Sequence, residues 1–167
     1  MRSQLRAMAL LLALLPGAAR AAETVAVFDP KLVDTSGEGR REDQQRRLAL
    51  IGEDLRRALA DSGRYAVVDP APLRAKLAEG PALNACQTCS TEAAQALGAD
   101  LALVTVVHKV SNLIMSITLA LREAAPSGAT RAVYSAEIRG NTDESWQHGM
   151  RWLLRNRLLA APDPARR

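Results

Sequence analysis

Two cysteines and two histidines are all the thiolate and imidazole ligands that this chain of 167 residues offers to a metal, and the two cysteines are its only thiols. Structural zinc needs four Cys or His ligands in one place. Cys86, Cys89, His108 and His148 would have to converge from separate parts of the chain, so no metal and no cofactor is expected. A c-type haem needs histidine directly after the second cysteine, and Ser90 stands there. Long apolar runs are equally scarce. The run from Ala7 to Leu15 falls short of the roughly 20 residues that span a bilayer, and no later segment approaches that length. The glycine-containing stretch KLVDTSGEGRRED lacks both G-x-G-x-x-G and G-x-x-x-x-G-K, which excludes a phosphate cradle there. No serine nucleophile elbow accompanies either histidine, and no carboxylate pair points to glycoside hydrolysis.

What is present first sets the compartment. MRSQLRAMALLLALLPGAARAAE places Arg2 and Arg6 before the apolar run and small residues ending in Ala19-Arg20-Ala21 after it. That is the order of a secretory signal peptide over residues 1–21, with cleavage after Ala21. A retained anchor is the less favoured alternative, and no cysteine follows the run to carry a lipid. The mature chain is expected in the periplasm or the medium, without a membrane span, its thiols in an oxidising environment. Of the 22 Lys and Arg residues the leader holds three and no acid, leaving 19 against 18 Asp and Glu. The basic balance is thus largely the leader's, and no nucleic-acid partner is implied. Residues 22–160 suit one α/β domain, and APDPARR at 161–167 a flexible tail.

ETVAVFDP and RYAVVDP both read as buried strands stopped by Asp-Pro. Between them Leu48, Ile51, Leu55 and Leu59 form one stripe of an amphipathic helix over 42–62. Strand, helix and strand make a βαβ unit with parallel strands. A short helix carrying Leu73 and Leu77 follows, then STEAAQALGAD as another, capped by Ser90 or Thr91 and stopped at Gly98. LALVTVVHKV is apolar on both faces, and Leu113 to Leu121 alternate in a second strand; Ser111-Asn112 would join the two in a tight turn. RAVYSAEIRG supplies the last strand. A closing helix over about 143–159 is entered through Asn141 with Glu144 three residues on, a capping pair. The expected architecture is a mixed five-stranded α/β sheet in a three-layer-like arrangement, order β-α-β-α-α-β-β-β-α: a βαβ unit, an antiparallel meander and a closing helix.

At fold level AVFDP, YAVVDP, ALGADLALV, the meander and the closing helix resemble the amino-terminal domain of TolB and the related domains of CsgG and of outer-membrane activators of peptidoglycan synthases. More specifically, HKVSNLIMSI at 108–117, EIRGNTDESW at 137–146 and the Cys86/Cys89 pair before ALGAD resemble an uncharacterised family of predicted secreted bacterial proteins, over nearly the whole mature chain. That resemblance implies the fold and an exported location, and brings no activity.

The Cys-x-x-Cys pair has two surviving readings. A local disulfide in an exported protein is preferred. A thiol-disulfide oxidoreductase is the alternative, since the pair precedes a helix whose amino-terminal amides would stabilise a thiolate; yet the motif does not directly follow a strand, and no cis-proline companion is identifiable from the sequence. His108 reads as a core or edge residue, and the acids around 137–144 as capping and dipole partners. On the closing helix Trp146, Met150, Leu153, Leu154 and Leu158 share a core-facing arc, while His148, Arg151, Trp152 and Arg155 fall outside it. Tryptophan beside arginine at a surface is interaction-hot-spot chemistry. The expectation is a non-enzymatic binding or assembly accessory of the bacterial cell envelope, with an envelope protein as partner and those four residues as its contact.

Overall fold

The computed structural model describes residues 22–160 apart from 40 and 87; the expected leader and tail lie outside the described residues. The strands are β1 (Glu23–Val27), β2 (Lys31–Asp34), β3 (Tyr65–Val68), β4 (Leu101–Lys109), β5 (Ile114–Glu123) and β6 (Thr130–Arg139). The α-helices are α1 (Glu42–Asp61), α2 (Arg74–Glu79), α3 (Cys89–Ala96) and α4 (Asp143–Leu153); a 3-10 turn precedes α2 and a π-helical turn, Leu154–Leu158, extends α4. All six strands form one mixed sheet in the order β3-β1-β4-β5-β6, with β2 also on β4.

The sheet has one strand more than the sequence suggests. Pro30 has no N–H to give to a ladder, so it breaks the first strand as expected. The chain then resumes in the same direction. β1 pairs in parallel with Leu101–Leu103, and β2, four residues further on, pairs in parallel with Val106–Lys109. The two lie end to end along β4. Lys-Leu-Val-Asp is too short and too charged at its ends to carry a strand signal of its own.

The expected βαβ unit is present, β1 and β3 being parallel neighbours across α1, and β4, β5 and β6 form the antiparallel meander. On one face Leu48, Ile51, Leu55 and Leu59 of α1 meet Trp146, Met150, Leu153 and the π turn's Leu154 and Leu158 over the sheet. On the other face Ala93 and Ala94 of α3 cover Ala26, Phe28, Ala102 and Val104. α4 can lie this close because residue 149 is glycine: a Cβ there would stand 2.2 Å from Ile138 Cγ2.

Three local expectations change. Helix α3 begins at Cys89 with Thr88 as its N-cap, and Ser90 and Thr91 are buried inside its first turn rather than capping it. The β4–β5 link is four residues, with the Val110 and Ser111 N–H groups both donating to Ile114 O, rather than a two-residue turn. Helix α4 is capped by Thr142, whose Oγ1 accepts from Ser145 N–H (3.1 Å) while the Thr142 N–H donates to Ser145 Oγ (3.0 Å). Asn141 and Glu144 are therefore not the capping pair: Glu144 is exposed on the first turn, and the Asn141 side chain is drawn inward to other partners. Thr142→Ala should cost about 1 kcal/mol in chemical denaturation; no measurable change would move the helix start elsewhere.

Candidate functional site

Among the described residues strand β6 ends the sheet and pairs with β5 alone. Beside it, α4 leaves a groove of about 800 Å³ between residues 135–139 of the strand and one stripe of the helix, with Ile138, Ser145, His148, Gly149 and Trp152 among its walls. The structure divides the four residues expected to form one contact face. His148 and Trp152 enter the groove wall. Arg155 is exposed and belongs to the π-helical turn, outside the groove's lining. Arg151 turns the other way, 3.7 Å from Asp54 of α1. Nor is Trp152 as open as its phase suggests. It is half-buried against the core edge, and the Arg157 guanidinium sits 5.4 Å from its ring centroid, brought there by the π-helical turn.

A second feature joins the two stretches on which the family resemblance rests. Lys109, at the end of β4, is 0% exposed. Its Nζ donates to Glu38 Oε2 (2.6 Å) and lies 3.5 Å from Asp34 Oδ2. Asn112 Nδ2 donates to both Glu38 oxygens (2.8 and 2.9 Å), and Asn112 Oδ1 accepts from Asn141 Nδ2 (2.9 Å). Asn141 Oδ1 in turn accepts from Arg47 Nη1 (2.9 Å) and Trp146 Nε1 (3.1 Å). Arg47 also pairs with Asp143 (2.9 Å) and Asp43 (3.0 Å), and Arg46 with Asp143 (3.1 Å). The segment after β2, the β4–β5 link, α1 and the start of α4 are thus fastened by one polar chain. Asp34 is held below the usual carboxylate range chiefly by the Ser36 hydroxyl, then by the Ser36 amide; Glu38 by the Lys109 ammonium; Asp143 by Arg46 and then Arg47.

These depressed carboxylates set the sign of the pH response. A group whose folded pKa lies below its unfolded one contributes stability that is fully present above the unfolded value and lost as pH falls through the folded value. Stability should therefore hold down to the ordinary glutamate value of 4.5 and decline below it, through and beyond the ordinary aspartate value of 3.8. Thermal melts across that range check this; a decline beginning near neutrality would contradict it.

Cys86 and Cys89 are joined in a disulfide. The Cys86 sulfur accepts from the Cys89 N–H (3.2 Å), the first amide of α3. A cis peptide at Ala125–Pro126 lies in the β5–β6 turn, and the Ala125 N–H donates to Thr91 O. His108 lies on β4, its Nε2 3.0 Å from Thr35 Oγ1, as a satisfied strand histidine. Among the described residues no cluster of His, Cys, Asp and Glu could hold a metal ion, and no helix is long and apolar enough to cross a membrane. Another cleft, of about 830 Å³, lies between β2 and α1, with the Arg56–Asp29 ion pair among its walls.

No curated protein matches the chain in sequence. Among solved structures it is similar to lipoprotein GNA1162 from Neisseria meningitidis, at 17% identity and a TM-score of 0.50 over 72% of this chain and 82% of that one. It is also similar to the LpoB C-terminal domain from Escherichia coli, at 16% identity and a TM-score of 0.49 over 73% of this chain and 87% of that one. At 17% identity the first similarity is one of fold, and nothing in these comparisons supports the oxidoreductase alternative. The sequence profile of the family DUF3280, described as a protein of unknown function (DUF2380), matches residues 23–158, and the chain belongs to that family.

Proposed function

We propose that the chain is an exported accessory of the bacterial cell envelope that binds a protein partner through the groove between β6 and α4, without catalysis. The observation that carries this reading is the conjunction of a ten-residue strand at the sheet edge with a helix stripe bearing His148 and Trp152. A half-buried indole with the Arg157 guanidinium over its ring supplies rigid contact area with a small ordering cost, the composition of an interface hot spot. The leader-like segment, the disulfide and the fold likeness to a lipoprotein support an envelope location in this reading, as does the TolB-like and CsgG-like pattern of the sequence. The polar chain from Asp34 to Asp143 has a supporting role: it fixes the start of α4, and so the groove, against the sheet.

Trp152→Ala tests the proposal. The full chain, wild type and variant, is used to capture partners from an envelope extract with in-cell cross-linking. Partners held by the wild type should be weakened by about 2 kcal/mol with the variant. Because the indole is only half-buried, folding stability should fall by about 1 kcal/mol. Equal capture by both proteins would end the groove assignment.

A further inference from the structure

We infer that the cleft between α2 and the ends of β1 and β3 binds a small monocarboxylate with an apolar body, held at its mouth by Lys31 and Arg74. The cleft, of about 370 Å³, opens on the sheet face opposite the groove. Its floor is Phe28, 1% exposed, beside the buried Pro70 and Leu83. The space follows from side-chain size. On this face the core is chiefly alanine, with Ala26, Ala93, Ala94 and Ala102, and the 3-10 turn and the six-residue α2 bring only Leu73 and Leu77 against it, both half-buried. Small side chains under a short helix leave apolar volume unfilled. The far wall is already in place: Ala82 and Leu83 belong to the segment whose end, Cys86, the disulfide ties to the first residue of α3, and the Ala85 and Cys86 N–H groups both donate to Ala82 O. A site formed before its ligand arrives loses less in ordering.

The mouth supplies the charge. Arg74, Leu77 and Ala78 all line the cleft, the i, i+3 and i+4 positions that stand together on one helix face. Leu32 packs toward the α1 side, so alternation along β2 turns Lys31 to the face that Phe28 occupies. Among the described residues neither cation stands in an ion pair, and Asp29, at the same mouth, is taken by Arg56. Two cations that no acid answers, above an apolar floor, are met by a ligand with one negative end and an apolar remainder. The planar guanidinium matches the two oxygens of a carboxylate. Volume limits the remainder to one short chain or ring, since the cleft stands at the small end of the roughly 300–1,000 Å³ range of ligand sites.

Octanoate titrated into the purified full chain and followed by amide NMR shifts tests this, with 1-octanol and inorganic phosphate as comparison solutes. Octanoate should bind and move the amides of Phe28, Leu77 and Leu83. Octanol should bind about tenfold more weakly, and phosphate, which has no apolar part, should leave those amides unmoved. Lys31→Gln and Arg74→Gln should each weaken octanoate about threefold and together about tenfold, the range for exposed charge pairs. Ala78→Phe, at an exposed position on the cleft wall, should block octanoate with an unchanged melting temperature. Octanol binding as tightly as octanoate, with both glutamine variants indifferent, would overturn the carboxylate. Octanoate that survives Ala78→Phe, or shifts centred on Trp152 rather than Leu77, would overturn the cleft. Phosphate binding as tightly as octanoate would remove the apolar floor from the site, and no shift at millimolar octanoate would end the proposal.

Discussion

Lys109→Met should destabilise the fold by about 3 kcal/mol, because removing one member of a buried ion pair leaves the other uncompensated. The methionine fills the same space, so packing is nearly conserved and the loss reports on charge. Glu38, with its side chain 40% exposed, can swing into water; Asp34, at 14%, cannot, and its Oδ2 already lacks a hydrogen-bond donor. The stranded group is therefore Asp34. Adding Asp34→Asn keeps an acceptor for the Ser36 amide and hydroxyl and removes the charge, and the double variant should recover at least half of the loss. Urea titration of the three proteins decides it. A Lys109→Met protein within about 0.5 kcal/mol of wild type would mean that the lysine is an ornament of the fold.

Trp146→Ala should be costlier still, by about 4 kcal/mol, the range for emptying a large aromatic site in a packed core. Trp146 is fully buried and stands where α4, α1 and the sheet meet. Its Nε1–H donates to Asn141 Oδ1, which also accepts from Arg47, so truncation opens a cavity and loosens the polar chain at once. Trp146→Phe separates the two effects: it keeps most of the volume and should cost about 1 kcal/mol for the lost hydrogen bond. If Phe costs as much as Ala, the bond to Asn141 rather than packing is what holds the helix. Equilibrium denaturation followed by circular dichroism reads both variants.

The two tryptophans also show what could be read from sequence. Trp146, Met150 and Leu153 keep helical period on a strong amphipathic segment, so their burial was legible, as were the stripe of α1 and the alternation of β5. Trp152 falls outside that arc, and its phase does not tell an open indole from one that a neighbour covers. The π-helical turn that brings Arg157 over it depends on how the last turn packs, which no period encodes. The cap stands one residue beyond Asn141 for a related reason. Asn141 and Thr142 are both good capping residues, and what removes Asn141 from contention is a pair of partners, Arg47 and Trp146, of which the first is 94 positions away. Lys109 and Glu38 are 71 apart. A lysine closing an apolar strand reads as a solvent-facing end, and nothing local announces a carboxylate arriving from another loop. The edge of β6 was implicit in its being the last strand of a meander. That α4 would leave a groove beside it follows from the tight contact at Gly149, which a sequence pattern does not report.

The end-to-end arrangement of β1 and β2 decides where this scaffold can hold a ligand. In open α/β sheets small molecules settle beyond the carboxyl ends of parallel strands, at the point where the winding reverses direction. Here the chain leaves β1 for β3 on one side and comes back to β4 on the other, so the reversal falls between β1 and β4. That ground is already built upon. Asp29 and Pro30 cross it, and β2 continues along β4 through the position that a nucleotide or a sugar phosphate would take. The chain's own backbone thus takes part of that position, and what space is left lies in clefts beside it, one between β2 and α1 and a smaller one of about 370 Å³ lined by Phe28, Asp29, Leu32 and Pro70.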